Sequence, residues 1–279
     1  PMFVMVDKMK KTIFFILFTT IIFHSFSQNI EVMKDSLLKE IQTLQCKNDV
    51  FYADGLFPSQ RNKKEDNNIF FSALIAYTLQ KYQETFAKKE QLIIDSIVRR
   101  VKQNFPNYKS RNGKITYNFW QTSPIEMPLP NNKVFSKWKR VLLADDLDDT
   151  SLIFLTQKNT TQLDSLVKKE MEKYTHDKTK ELKNTEKKYQ NFNAYYTWFG
   201  NHQDLDICVI SNVLLFVFEK KLPLTHYDYE SFELIKTMIQ NNDHFNKPHL
   251  ISGWYKTTPI ILYTVSRMLE KAPKELKKE

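Results

Sequence analysis

Four segments that are apolar on nearly every side of a helix constrain this chain more than any other feature. They are NIFFSALIAYTLQKY (68–82), TSLIFLTQ (150–157), DLDICVISNVLLFVFEKK (204–221) and YKTTPIILYTVSRMLEKA (255–272). A helix that is apolar all round must be covered by protein all round. We therefore expect these four helices to lie inside the fold, with other helices packed around them.

Amphipathic segments alternate with the apolar ones along the chain. Apolar residues recur at helical spacing over 30–45, 89–105 and 228–240. Residues 161–192 are charged with a thin apolar stripe, which predicts one long helix or a helix pair. No convincing strand alternation competes with these helices. The pattern predicts an all-α fold, a single α/α toroid in the form of an incomplete barrel of helical hairpins.

The N-terminal residues 1–27 have the pattern of a secretory signal peptide. Three lysines precede the apolar run TIFFILFTTIIFHSF, and Ser25 and Ser27 stand at the small-residue positions of a cut before Gln28. The run is too short for a membrane span. We therefore predict export to the periplasm or the medium, a folded domain over 28–279, and no stable membrane span after the signal is removed.

Composition excludes several function classes. Only 4 glycines are present, which argues against Gly-rich phosphate loops. The net charge of +9 comes from scattered lysines without an arginine stripe, so we expect no nucleic-acid partner. G-x-S-x-G, H-E-x-x-H, C-x-x-C and Walker motifs are absent, and we predict no metal and no cofactor. Cys46 and Cys208 lie in apolar helical contexts, and their pairing is left open.

The segment ADDLDDTSLIFL (144–155) crowds aspartates at the head of an apolar helix. Asp145, Asp148 and Asp149 share one helix face, and Asp146 stands at the turn. Crowded carboxyls cannot all ionise cheaply, so one of them keeps its proton and becomes a candidate general acid. A simpler interpretation is that an aspartate before an apolar helix serves as an N-cap. Both interpretations stay open at the level of the sequence.

The string Asp146-Leu147-Asp148-Asp149-Thr150 resembles the D-x-D-D-T acid motif of class II terpenoid cyclases, which are α/α toroids. The resemblance implies that Asp148, the middle aspartate, is the general acid that protonates an alkene or an epoxide. Asp146 and Asp149 would modulate it. These three aspartates are therefore the candidate catalytic residues.

A second string, Asp206-Ile207-Cys208, resembles the Asp-x-Cys zinc ligands of protein prenyltransferase β subunits, which are also α/α toroids. In that family a Tyr-His-Thr string supplies the third ligand, and this chain has Lys256 at the histidine position. Lysine is not a zinc ligand at neutral pH, so the resemblance supports the toroid without the metal. Within the terpenoid cyclase and prenyltransferase superfamily, the chain is most similar to exported bacterial members.

Two loop segments, TYNFWQT (116–122) and YYTWFGNHQD (195–204), combine large aromatic side chains with polar ones. Loops that join apolar helices would gather at the mouth of the ring, where such side chains stack on sugars, line an isoprenoid pocket or simply fill the ring. The candidate substrate-binding residues are Tyr117, Trp120, Trp198, Asp204, Asp206, Arg61 and Tyr255.

Three functions remain open. The leading hypothesis is acid catalysis of the terpene-cyclase type in an acidic, aromatic-lined central cavity. The alternative is a non-catalytic binding or scaffolding protein for a glycan or a peptide. A third is a glycan-acting α/α-toroid enzyme, in which two carboxyls such as Asp148 and Asp206 do the work. Each function implies a small-molecule, glycan or peptide ligand.

Overall fold

The computed structural model describes residues 30–49, 51–61, 64–123, 144–183, 185–200 and 203–277, without the side chains of residues 61 and 64. The predicted signal peptide lies outside these residues. The described part of the chain is mostly helical, which confirms the all-α class. A membrane-spanning helix would need a longer apolar run than any helix in the described ranges provides. The toroid stays a prediction.

The longer helices overlap the segments that the sequence predicts, whereas the three four-residue helices after residue 240 were not predicted. The helices are α1 (30–44), α2 (Phe70–Tyr82), α3 (Lys88–Lys102), α4 (Leu147–Thr156), α5 (Thr161–Glu172), α6 (Ile207–Glu219), α7 (His226–Gln240), α8 (Asp243–Asn246), α9 (Pro248–Ile251), α10 (Thr258–Lys271) and α11 (Lys274–Lys277). Short 3-10 turns cover Gln83–Thr85, Phe105–Tyr108 and Lys187–Tyr189. Two antiparallel strands, β1 (Gln60–Arg61) and β2 (Lys64–Glu65), form a small hairpin before α2.

Helix α6 is the centre of the packing. Every residue from Ile207 to Phe218 is buried, because α4, α7 and α10 all pack against this helix. Helix α4 also packs against α2, and α2 against α3. Burying one large aliphatic or aromatic side chain contributes about 1.5–3 kcal/mol, so α6 is a main source of the fold's stability.

Helices α2 and α10 each leave one face uncovered, contrary to the expectation that apolar segments are covered all round. Phe71 of α2 is 46% exposed, and Ile260 and Tyr263 of α10 are 44% and 50% exposed. Elsewhere along these two helices, Lys81 of α2 forms an ion pair of 2.7 Å with Glu270 of α10. The uncovered side chains lie at the edge of the cavity described below, which is why no neighbouring helix packs on them.

The prediction of a long helix or helix pair over 161–192 is wrong beyond α5. After α5 the chain folds back on a later segment, and the N–H of Tyr196 donates to the carbonyl of Tyr174 at 2.9 Å. The buried ring of His176 lies 3.1 Å from the carbonyl of Gln190. These long-range contacts compete with helical hydrogen bonds, and local periodicity gives no sign of them.

Aspartates cap the two most buried helices. The carboxylate of Asp146 accepts from the N–H groups of Asp148 at 2.6 Å and Asp149 at 3.3 Å, at the start of α4. The carboxylate of Asp206 accepts from the N–H of Cys208 at 2.9 Å, at the start of α6. Each cap satisfies backbone donors that the first turn of a helix leaves unpaired. The N-cap interpretation is therefore confirmed for Asp146.

The same two helices share a second local feature, one turn further on. The hydroxyl of Ser151 donates to the carbonyl of Leu147 at 2.7 Å, and that of Ser211 donates to the carbonyl of Ile207 at 2.7 Å. In a buried helix this bond satisfies a polar side chain that has no access to water.

Cys46 and Cys208, whose pairing the sequence leaves open, are both free and buried. Burial raises the pKa of both thiols. A thiol that keeps its proton is a poor nucleophile, so both side chains act as small apolar groups in the core.

Candidate functional site

A cavity of about 550 Å³ lies beside the head of α4, within the size range of small-molecule sites. Its wall is mostly aromatic and aliphatic, and includes Phe70, Leu74, Phe119, Trp120, Trp198 and Val209. The side chains of Phe71, Trp254, Ile260 and Tyr263 both line the cavity and are exposed. This cavity rim (71, 254, 260 and 263) is where the cavity opens to the outside.

Backbone pairing brings the two aromatic loops to the aspartate cluster. Single antiparallel bridges join Asp146 to Tyr117 on one side and to Trp198 on the other. A further bridge joins Trp120 to Asn68, just before α2. As a result Trp120 and Trp198, both predicted as binding residues, lie on the cavity wall.

The three aspartates of the D-x-D-D-T string lie on the cavity wall. Asp146, Asp148 and Asp149 all line it, although each is at least 95% buried. Asp146 uses its carboxylate as the helix cap described above. Burial, and then the charge of Asp148, raises the pKa of Asp146 well above its usual value.

Asp148 is held by side chains from distant parts of the chain. The amide of Asn212, in α6, donates to its Oδ1 at 2.5 Å, and the hydroxyl of Tyr255 donates to its Oδ2. The guanidinium Nη2 of Arg267, in α10, donates in turn to Oδ1 of Asn212. Burial raises the pKa of Asp148 to about 7, against the two hydrogen bonds, which act to lower it. Asp148 therefore keeps its proton at mildly acidic pH and loses it around neutral pH.

Asp149 has a different environment from its neighbour. Its side chain is 0% exposed, and neither carboxyl oxygen has a hydrogen-bond partner among the described residues. Burial, then the charges of Asp146 and Asp148, raises its pKa well above the usual value. An ionised carboxylate without a partner is very costly in the interior, so burial favours the neutral form of Asp149 as well as that of Asp148.

Asp206 is the second carboxyl of the glycan-acting hypothesis. It is not among the described residues that line the cavity. Its carboxylate accepts from the hydroxyl of Ser252 at 2.8 Å and from the N–H of Trp254 at 3.1 Å, besides capping α6. Burial raises its pKa to about 6. Asp206 positions the segment that carries Trp254 and Tyr255.

No family model, no curated protein and no solved structure matches this chain. The likeness to terpenoid cyclases and prenyltransferases therefore rests on the short strings of the sequence. In the part of the chain that the structure describes, no group of three or more His, Cys, Asp or Glu side chains is placed to hold a metal ion.

Tyr117, predicted to contact substrate, is not among the described residues on the cavity wall. Its ring packs on Phe154 of α4, with the ring centroids 6.1 Å apart. Its backbone fixes this position, because its N–H donates to the hydroxyl oxygen of Thr150 at 2.9 Å and its carbonyl accepts from the N–H of Asp146 at 2.9 Å. With its backbone held in this way, its side chain packs in the core against α4.

Asp204 and Arg61 are also not placed at the site by the structure. Asp204 is half-buried, its carbonyl accepts from the N–H of Thr197 at 3.3 Å, and it is not one of the described cavity residues. The side chain of Arg61 lies outside the described residues, and only its backbone is seen, in β1. Tyr255, in contrast, lines the cavity and bonds Asp148.

Asn212, Trp254 and Arg267 are among the residues of the site that were not predicted. Asn212 is a lone amide inside the apolar run ICVISNVLLFVF, and Arg267 is a guanidinium inside IILYTVSRMLE. A polar side chain in the middle of an apolar helix needs a buried partner, and that requirement was the available signal. Trp254, edge-on to Trp198 at 5.4 Å, lies in a loop that no periodicity distinguishes.

Proposed function

We propose that this protein is an acid catalyst that protonates an apolar substrate in the cavity, with chemistry of the class II terpenoid cyclase type. One observation carries the proposal: Asp148, a buried acid with a pKa of about 7, stands on the wall of an aromatic cavity that opens to the outside. An acid is most useful when its pKa is close to the working pH, because it is then both protonated and able to give the proton up.

The proposed step is a proton transfer from Asp148 to an alkene or an epoxide. The carboxyl O–H bond breaks, a bond from that hydrogen to the substrate forms, and the substrate becomes a carbocation. The carboxylate that remains is stabilised by the hydrogen bonds from Asn212 and Tyr255. The faces of Trp120 and Trp198, on the same wall, would stabilise the cation. Loss of a proton from the product cation back to the carboxylate completes the cycle.

The proposal includes the architecture and the location of the protein. In a single, incomplete α/α toroid, the heads of α4 and α6 would face a common hollow, and α2 and α10 would complete the inner layer. Packing of α2 on α4, α4 on α6 and α6 on α10 supports this arrangement. Export through the predicted signal peptide would bring the cavity to substrates outside the cytoplasm.

A second candidate function, a non-catalytic binding protein, is supported by the cavity rim. Trp254 is 54% exposed and stands edge-on to Trp198 at an angle of 81°. Exposed tryptophans of this kind offer faces for a ring-shaped ligand, including a sugar. In this case the aspartates would serve the fold, as Asp146 does in capping α4.

Substitution of Asp148 by asparagine separates the two functions. Wild-type protein and D148N are incubated with acyclic isoprenoid alkenes and epoxides between pH 5 and 7, and cyclised or hydrated products are measured by mass spectrometry. We expect D148N to lose product formation by at least about a hundredfold, the usual contribution of a general acid. The matched control is Asp145→Asn in the same segment, since Asp145 is not among the described cavity residues. Equal turnover by D148N, or no product from the wild-type protein, would contradict acid catalysis and favour the binding protein.

A further inference from the structure

Arg267 is a charged cavity residue, and the proposed proton transfer gives no role to two of its three guanidinium nitrogens. It lies on α10, lines the cavity and is 7% exposed. Its Nη2 is taken by Asn212, whereas Nε and Nη1 are buried and have no hydrogen-bond partner among the described residues. A buried guanidinium whose N–H groups are unpaired destabilises the protein, and native structures rarely leave such groups unpaired.

The aromatic rings around Arg267 stabilise its positive charge but do not accept hydrogen bonds from these N–H groups. The guanidinium carbon lies 5.7 Å from the ring centroid of Tyr77 and 5.3 Å from that of Tyr263. Ring faces attract a cation in this range. Within the described ranges, no acceptor oxygen pairs with Nε or Nη1, and Arg267 lines the cavity, so a ligand bound there would be able to supply one.

The charges on the cavity wall limit what the acceptor can be. Among the described lining residues, the carboxyls are Asp66, Asp146, Asp148 and Asp149, and the cations are Arg267 and the exposed Lys256. A diphosphate carries several negative charges and would meet one buried cation and four carboxyl groups. A group with a single negative charge matches one guanidinium, and a carboxylate is the usual partner of arginine.

We propose that the cavity binds an apolar molecule that ends in one carboxylate, and that this carboxylate accepts hydrogen bonds from Nε and Nη1 of Arg267. The apolar body then lies against the aromatic wall of the same cavity, which Asp148 also lines. The inference rests on the proposed function only in taking this cavity as the substrate site. It adds the class of substrate, which acid catalysis alone does not specify.

Binding of dodecanoic acid and dodecan-1-ol tests the inference, because these probes share a body and differ in their head group. Trp120, Trp198 and Trp254 line the cavity, so intrinsic fluorescence reports on occupancy. Both probes are titrated at neutral pH, below their aggregation limits. We expect the wild-type protein to bind dodecanoate at least about tenfold more tightly than the alcohol, the size of a charge-assisted hydrogen bond. We expect Arg267→Met to lose that preference and to keep its affinity for the alcohol.

Matched variants make each outcome decisive. Arg99→Met removes an exposed arginine of α3 and should leave the preference unchanged. If R267M binds neither probe, Arg267→Gln is titrated instead. Loss of the preference for the acid in that variant, with binding of the alcohol retained, supports the inference. Equal wild-type affinities for acid and alcohol, or an unchanged preference in the Arg267 variants, would overturn it. D148N should keep the preference, so a failure of acid catalysis and a failure of carboxylate binding are distinguished.

Discussion

Three neighbouring aspartates of one helix head have three different environments. Asp146 accepts backbone N–H groups, Asp148 accepts side-chain donors from Asn212 and Tyr255, and Asp149 is buried with no hydrogen-bond partner in the described ranges. Residue type alone does not assign these roles, since the partners of a carboxyl decide which protonation state it favours. The capping role of Asp146 could be predicted from its place before an apolar run. The partners of Asp148 could not, because they lie far along the chain.

At this scale we expect Asp146→Ala to lower the free energy of unfolding by about 1–2 kcal/mol, because two N–H groups of α4 lose their acceptor. Asp146→Asn keeps an acceptor oxygen and should cost less. Urea denaturation of the two variants measures the difference. Equal losses in both would mean that the charge of Asp146, and not its capping bonds, stabilises the helix.

At the scale of elements, the sequence predicts a helix well where its contacts are uniformly apolar. Helix α6 is buried all round, and both its existence and its place inside the fold were predicted from its uninterrupted apolar run. The end of α5 did not follow, because the pairing of Tyr174 with Tyr196 depends on a segment some twenty residues away. The position of Tyr117 could not be predicted for the same reason, because hydrogen bonds of its backbone to Thr150 and Asp146, more than twenty residues away, hold it.

A buried ion pair connects α5 to α7 and gives a test at this scale. Nζ of Lys168 lies 2.6 Å from Oδ2 of Asp228, whose Oδ1 accepts from the hydroxyl of Tyr195 at 2.8 Å. Lys168→Met leaves the buried carboxylate without its cation, and we expect a loss of about 3–5 kcal/mol in the free energy of unfolding. Lys173→Met, which breaks an exposed pair with Glu170, should cost no more than about 1 kcal/mol. Similar losses in the two variants would contradict this assignment.

For the whole molecule, the candidate site is a product of packing. The walls come from α2, α4, α6 and α10 and from several loops, among them those that carry Trp120, Trp198 and Trp254. The sequence predicted that the aspartates would meet Trp120 and Trp198. Whether the inner helices form a toroid stays a prediction. Asn212 and Arg267 were missed because their roles depend on which sides of α4, α6 and α10 pack together. A single sequence does not determine that packing.

The cavity carboxyls also affect the pH dependence of global stability. The pKa of Asp148 is about 7 in the folded protein, against about 4 for an unfolded aspartate. Between these values the folded state binds the extra proton, so the contribution of Asp148 to stability is present below about pH 4 and is lost as the pH rises to 7.

We therefore expect the free energy of unfolding of the wild-type protein, minus that of D148N, to fall from pH 4 to pH 7 in urea titrations. Asp49→Asn is the control, because backbone hydrogen bonds from Tyr52 and Phe51 lower the pKa of Asp49. Its contribution should have the opposite sign and weaken as the pH falls. A difference for D148N that does not change with pH would contradict a raised pKa at Asp148.

The matching starts of α4 and α6 have a consequence for how the two helices pack. Asp206 and Ser211 stand in the same relation as Asp146 and Ser151, and make the same bonds to the same positions of the first turn. Each helix therefore pairs these polar groups within its own first turns, and packing α4 on α6 away from water does not leave them without partners.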